Sequence, residues 1–327
     1  MPPYLANIQV HRGIVYLSTG AFIHTQTDFY VNDVIPINFT RVQLQRDKYS
    51  RCFGYGGTNY YDMFLSGDNA PFTYIELINS DASRIYFHRI SPGLGFSNAV
   101  YRHDRGPHDS DDFFAGAVIR WNGFAWDMRL TDGTIMRFPA SKYAKTAGQA
   151  AVLFIQDKEG HRLTIDRDAE GNILRITSPN GGALTLAHDA LNRITKGVDN
   201  YGHWVSYAYD SQGRLTTVHD SVQGVTHYVY GSHHNLTAIF KPDGEKWFWG
   251  AYDANDRIVS INYSSGGWAN YSYTTDARDN VTAVDALEAD GEFSRTTFDA
   301  TGEVISEQNV YVGAQAPKVT PKSKAAF

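Results

Sequence analysis

Cysteine is almost absent. Among 327 residues there is only Cys52, so no intrachain disulfide can form and no cysteine-rich metal site exists. Long apolar runs are missing too. The longest, "AAVLFI" at 150–155, is far short of the ~20 residues a membrane-spanning helix needs. The start, "MPPYLANIQVHRG", has neither a basic n-region nor a continuous apolar h-region and does not read as a signal peptide. Nor is there an excess of positive charge. With 29 Lys and Arg against 35 Asp and Glu the formal charge is −6, which argues against nucleic acid or an anionic membrane as partner.

Recognised reaction signatures are lacking as well: there is no H-E-x-x-H, nucleophile elbow, P-loop or G-x-G-x-x-G. The densest polar cluster is "YRHDRGPHDSDD" at 101–112, with His103, Asp104, His108, Asp109, Asp111 and Asp112. Imidazole and carboxylate can ligate a divalent metal, but the spacing fits no known loop and Gly106-Pro107 marks a turn. A solvated connection is the simpler reading. His233 and His234 read as exposed turn residues, and His188 as filling a packing niche. Cys52 reads as a small buried group, and Asp253 and Asp256 as turn caps. No catalytic constellation, cofactor site or metal site is expected.

What is present is aromatic and periodic. Aromatics make up 14% of the chain, Tyr alone 21 residues and Gly 29, which suits strands and tight turns. The phrase "YDSQGRLT" at Asp210 recurs as "RDAEGNIL" (Asp168), "HDALNRIT" (Asp189), "YGSHHNLT" (Gly231), "YDANDRIV" (Asp253), "TDARDNVT" (Asp276) and "FDATGEVI" (Asp299). The intervals are 21, 21, 21, 22, 23 and 23 residues, and a shorter copy at Asp157 leads in. A second glycine turn near the middle of each unit, as in "SPNGG" or "KPDG", makes one repeat one β-hairpin. The array is then a continuous antiparallel sheet.

Within the phrase, Asp210 is expected to accept hydrogen bonds from backbone N–H groups two and three residues on. Gly213, like Gly302 in the last copy, supplies the positive-φ position that closes the turn with a bulge. Leu215 and Val218 are expected on the apolar face. Aromatic pairs at i, i+2 (Tyr207/Tyr209, Tyr228/Tyr230, Trp247/Trp249 and Tyr271/Tyr273) would place both rings of each pair on one face. They form either a core ladder or a ligand-stacking stripe. Arg193, Arg214 and Arg257, just after the turns, are expected to brace the next turn or to stack on tyrosine.

Tandem Y-D-x-x-G-R-L units at this period resemble the YD-repeats of the Rhs (rearrangement hotspot) family. That family includes bacterial polymorphic toxins, the shell subunits of insecticidal toxin complexes and the teneurins. The upstream half is similar to the family's opening region through Gly20, Thr27, Asp28, Arg41, Ser50, Phe53, Gly54 and Gly56. "WDMRLTDGTIMRF" at 126–138 looks like the hairpin preceding the repeats, so the likeness covers roughly residues 13–309. The resemblance implies a strip of β-sheet spiralling into a shell that holds a toxin. Many toxin members have a D-P-x-G step near which the chain cuts itself, and no Asp-Pro occurs here. The closing "AQAPKVTPKSKAAF" leaves no room for an effector, which points to a shell fragment or a self-associating scaffold.

The expectation is therefore an all-β protein: an irregular N-terminal β segment over 1–150, a hairpin array over 151–309 and a flexible tail over 310–327. Its expected function is a non-enzymatic structural module that encloses or scaffolds a toxin cargo in interbacterial competition. It would be exported without a recognisable signal peptide, or cytoplasmic before export. The partners would be cargo or neighbouring shell chains. A second reading is an extracellular carbohydrate-binding or adhesion module. A third is a self-assembling β fibre joined through open sheet edges.

Overall fold

The computed structural model describes residues 10–11, 14–104 and 113–311. Period-two alternation broken by glycine turns favours antiparallel hairpins. Accordingly, 22 strands from Phe64–Ser66 to Val304–Tyr311 pair in chain order into one antiparallel ladder. The ladder crosses residue 150 unbroken, with Arg137 opposite Phe154. Among the described residues the only helical elements are 3-10 turns, at Tyr60–Asp62, Ser141–Tyr143, Ala147–Ala150 and Ser232–His234. The fold is all-β and dominated by one continuous antiparallel sheet, as the repeats require.

The ladder curls without closing as a whole. Among the described residues the terminal strands do not pair with each other; Phe64–Ser66 is bonded along one side by Tyr74–Ile78, and Val304–Tyr311 by Glu292–Phe298. The first eight strands nevertheless bend back on themselves. Phe64 forms an isolated antiparallel bridge with Ala151, and the Val152 N–H donates to the Met63 carbonyl at 3.0 Å. Beyond that bridge the strip runs on past its own beginning. Such curling is the natural course of a twisted sheet of many strands.

A β-bulge recurs beside the turn of successive repeats. Register shifts occur between Ala187 and His188, Ala208 and Tyr209, Val229 and Tyr230, Ala251 and Tyr252, and Thr274 and Thr275. In the third repeat Ala208 faces Thr217 and Tyr209 faces Leu215, leaving Thr216 as the extra residue. The bulge brings Leu215 and Val218, three apart, onto the same buried face. The same spacing buries Ile173 with Ile176, Leu236 with Ile239, Ile258 with Ile261 and Val281 with Val284. The bulged threonine occupies its hydroxyl locally: Thr195, Thr216, Thr237 and Thr282 each donate to the carbonyl eight residues back, at 3.1–3.2 Å.

A second sheet fills the concave side. Its strands are Val10–His11, Val15–Tyr16, Ala21–Val31, Ile37–Leu44 and Gly57–Asn59. It lies across successive repeats: Phe29 meets His203 and Phe22 stacks on Phe248, each at 5.0 Å between centroids, while Phe53 of the adjoining two-stranded hairpin meets Tyr207 at 4.9 Å. Phe29, Ile37, Phe39 and Phe53 are buried. At about 1.5–3 kcal/mol per fully buried apolar side chain, this contact is a major part of the core.

Candidate functional site

The repeat turns come first. In all six copies that carry it, the aspartate Oδ1 accepts from the backbone N–H groups two and four residues on; at Asp210 these are Gln212 (2.9 Å) and Arg214 (3.0 Å). The N–H three residues on, expected at the side chain, goes instead to the aspartate's own carbonyl, as Gly213 does to Asp210 at 3.0 Å. A turn of this length presents that N–H to the main chain, leaving the outer two for the carboxylate. The corner residue has positive φ throughout: Gly171, Asn192, Gly213, His234, Asp256, Asp279 and Gly302. Short polar residues, the non-glycine types that best tolerate this region, fill three of these slots. Hydrogen bonds to the ionised form hold Asp276 and Asp299 below the ordinary carboxylate range; at Asp168, Asp189 and Asp210 they outweigh the opposing effect of burial.

Tyrosine and arginine then join one repeat to the next. The hydroxyls of Tyr209, Tyr230, Tyr252 and Tyr273 donate to the carbonyls of Ile194, Leu215, Leu236 and Ile258 at 2.6–2.9 Å, each 15 or 16 residues back. Arg193 and Arg214 each pair with the aspartate of their own turn at 2.7 Å and lie over Tyr209 and Tyr230 of the next repeat, 4.3 and 5.2 Å from the ring centres. Arg257 lies over Tyr273 and bonds to Asp279. Tyr207, Tyr228 and Tyr271 are buried in the core, while Tyr209, Tyr230 and Tyr273 are half-buried against it.

The tryptophan pair departs from the pattern. Trp247 packs on His24 and Tyr263, whereas Trp249 points outward, 37% exposed with Lys246 over its ring. The register shift between Ile239 and Phe240 breaks the i, i+2 rule there. The residue that does the tyrosine's work in this repeat is Tyr252. It stands directly before Asp253, as Tyr209 stands before Asp210, and aligning the phrase rather than the aromatics would have found it.

Beneath the ladder lies a buried polar lock. The Arg41 Nε and Nη2 donate to Asp28 at 3.0 and 3.1 Å, Tyr207 donates to Asp28 at 2.8 Å, and Arg41 donates to the Tyr228 hydroxyl at 3.1 Å. Asp28, the extra residue at a register shift, and Arg41 come from the two long inner strands, and the tyrosines come from two consecutive repeats. Burial works against the Arg41 charge, but Asp28 outweighs it and keeps the guanidinium protonated well above its usual range. His24, beside this pair and against Tyr228, is pulled down to about 3 by burial and then by Arg41, so it stays neutral. Gly54 lies at the edge of the lock at φ +78°, and a Cβ there would sit 2.2 Å from the Gly213 carbonyl. Only glycine allows the Tyr55 N–H to reach that carbonyl, at 2.9 Å.

The remaining candidates are spread out. Arg105 to Asp112 of the acidic cluster lie outside the described residues. His103 meets the Tyr86 carbonyl at 2.7 Å, and Asp104 pairs with Arg102. His233 is exposed, but His234 stacks on Tyr55 at 3.6 Å and is half-buried, because residues 49–57 fold over that turn. Cys52 is half-buried at a cleft of about 210 Å³ that also has Asp62 and His188 in its lining. Burial and the Asp62 carboxylate push the thiol well above its ordinary range, so it is no ready nucleophile. Asp62 is engaged by Arg167 and Asn59. Among the described residues, Glu288, Asp290 and Glu292 gather three prospective ligand atoms within 4.8 Å, and Glu288 meets His11 at 3.1 Å.

A strip of hairpins stapled edge to edge and filled on its concave side by its own inner sheet is a structural repeat module. Residues 140–278 match the teneurin YD-shell family, and residues 13–87 match a domain family of unknown function. Over residues 140–278, then, the chain is similar to shells built of YD-repeats. No curated protein matches it. Among solved structures it is similar to TcdB2-TccC3 without the hypervariable C-terminal region (10% identity over 72% of this chain, TM-score 0.37). It is similar also to the Photorhabdus luminescens Tc holotoxin pore (12% over 90%, TM-score 0.37). It spans about 15% of the length of each of those chains. A porin-like protein from Bacteroides uniformis aligns over 90% of this chain and 95% of its own, at 10% identity and TM-score 0.22. Superpositions this loose carry no argument about activity.

Proposed function

We infer that the chain is a non-enzymatic wall segment of a shell that scaffolds or encloses a toxin in competition between bacteria. One observation supports this most: the polar groups of the repeats, from the turn aspartates to the tyrosine hydroxyls and Arg41, are bonded to other parts of the chain, as a wall requires and a binding site does not. The concave face is already occupied by the inner sheet, so cargo would be held by further strip or by neighbouring chains. Export follows from that role, and among the described residues no helix is long and apolar enough to cross a membrane. The test is a co-culture contest between the producing bacterium and a sensitive competitor. Removing the chain, or breaking its lock with Arg41→Leu, is expected to abolish the killing advantage. Undiminished killing without the chain would refute the reading.

The adhesion reading keeps one specific support, the convex row Val229–Ala238–Trp249–Asn262–Trp268, in which Trp249 is exposed. Glycan-array binding that disappears in Trp249→Ala would favour it over the wall.

A further inference from the structure

The two ends of the ladder are unlike. At one end, Phe64–Ser66 is only three residues long, Leu65 is fully buried, and Phe64 is already bridged to Ala151. At the other, Val304–Tyr311 is an eight-residue strand bonded along one side by Glu292–Phe298 and, among the described residues, by nothing along the other. Its side chains from Ile305 onward are exposed, with Ile305, Val310 and Tyr311 at 65, 55 and 73%. No proline interrupts it, and Glu307 is its one charge. The protective devices usual on an edge strand are nearly absent.

We propose that this edge is the site of a two-fold dimer, in which Val304–Tyr311 pairs antiparallel with the same strand of a second copy. A head-to-tail fibre would need a free strand at each end of the ladder, and the first end is occupied; a self-complementary contact needs only the second. Side-chain identity fixes the register. Glu307 and Asn309 pair with the buried Thr296 and Ser294, so they face inward, while Ser306, Gln308 and Val310 face outward. A two-fold axis normal to the sheet keeps inward opposite inward. Centred on Glu307, it would set two carboxylates against each other, which is unfavourable. Centred on Gln308, it places Glu307 opposite the second copy's Asn309, Ser306 opposite its Val310, and the two Gln308 amides face to face. Centred on Asn309, it avoids the clash but shortens the overlap. The Gln308 register is the one selected. Strand pairing alone buries less than the ~1,200 Å² of a standard interface, so the dimer depends on concentration.

Light scattering on the full chain over a concentration series tests this. The mass is expected to rise to twice that of the monomer and stop there. In a Cys52→Ser background, Gln308→Cys is expected to cross-link two chains under mild oxidation, and Glu307→Cys far less, because only residue 308 faces itself. Ile305→Lys with Val310→Lys should return the chain to monomer with its circular dichroism unchanged. A constant monomer mass, growth beyond twofold, or stronger cross-linking at 307 would each overturn the proposal. So would a full chain that stays monomeric while a chain ending at Tyr311 dimerises, since residues 312–327 would then be the occupant of the edge.

Discussion

Asp28 and Arg41 show what a single pair can do in this fold. Neither charge is accessible to solvent, and each is bonded to the other and to a tyrosine of a different repeat. Removing one partner leaves the other charge buried and unpaired. Arg41→Leu is therefore expected to cost about 3–5 kcal/mol in chemical denaturation. Asp28→Leu combined with Arg41→Leu should cost clearly less than the sum of the two single changes; strict additivity would mean the pair is not coupled. His24 makes a second prediction. Its folded pKa of about 3 lies below the ordinary 6.5, so between these values the unfolded chain takes up a proton that the folded chain refuses. Stability is complete above about pH 6.5 and falls as pH drops toward 3, by up to about 1.4 kcal/mol per unit. Half-buried His188, also lowered by burial, acts in the same direction. The turn aspartates, with lowered pKa values, lose their contribution only as pH falls below their ordinary 3.8. Denaturation between about pH 4.5 and 6.5 should thus show a slope that His24→Gln flattens; an unchanged slope would mean His24 is not held neutral.

At the scale of the hairpin, the turns and the bulge that closes them could be read from the sequence, whereas the further register shift at Ile239 and Phe240 could not. The recurrence of aspartate, corner and leucine gave the period, the antiparallel pairing and the burial of Leu215. Leu215 and Val218, three apart, share the apolar face as expected, a spacing that would belong to a helix without the bulge's extra residue between them. The further shift is why the Trp247/Trp249 pair was misplaced, since alternation holds only where the register does not shift. A comparison of glycines separates the two costs of a left-handed corner. Gly202, at φ +88°, has open space where a Cβ would go, whereas a Cβ on Gly171, at φ +93°, would meet the Gly148 backbone at 2.3 Å. Gly202→Ala should cost about 1–2 kcal/mol from backbone strain alone. Gly171→Ala should cost clearly more, because two main chains must separate. Equal losses would show that the 148–171 contact is not tight in solution.

Across the whole molecule the inner sheet decides what the repeats alone do not. Asp28, Arg41, Phe53 and Gly54 could be matched to a family's opening region, but no local pattern tells that Arg41 will meet Tyr228, 187 residues on. Contacts of that range are set by how the strip curls around its plug. The plug also divides the ladder energetically. Strands Trp204–Tyr209 and Gly224–Tyr230 carry the lock and the aromatic contacts with Phe53, whereas Val304–Tyr311 has almost no buried side chain. Local opening is easiest where few apolar groups are buried and backbone bonds face water. Hydrogen exchange should therefore rise toward the C-terminal end of the ladder, fastest at Val304–Tyr311 and slowest around Tyr207 and Tyr228. Arg41→Leu should raise exchange at Tyr207 and Tyr228 first while leaving Val304–Tyr311 unchanged. Uniform protection from Phe154 to Tyr311, or a variant that loosens the last hairpin as much as the middle ones, would mean that the sheet is held by its edge-to-edge staples and that the plug merely fills the space beneath them.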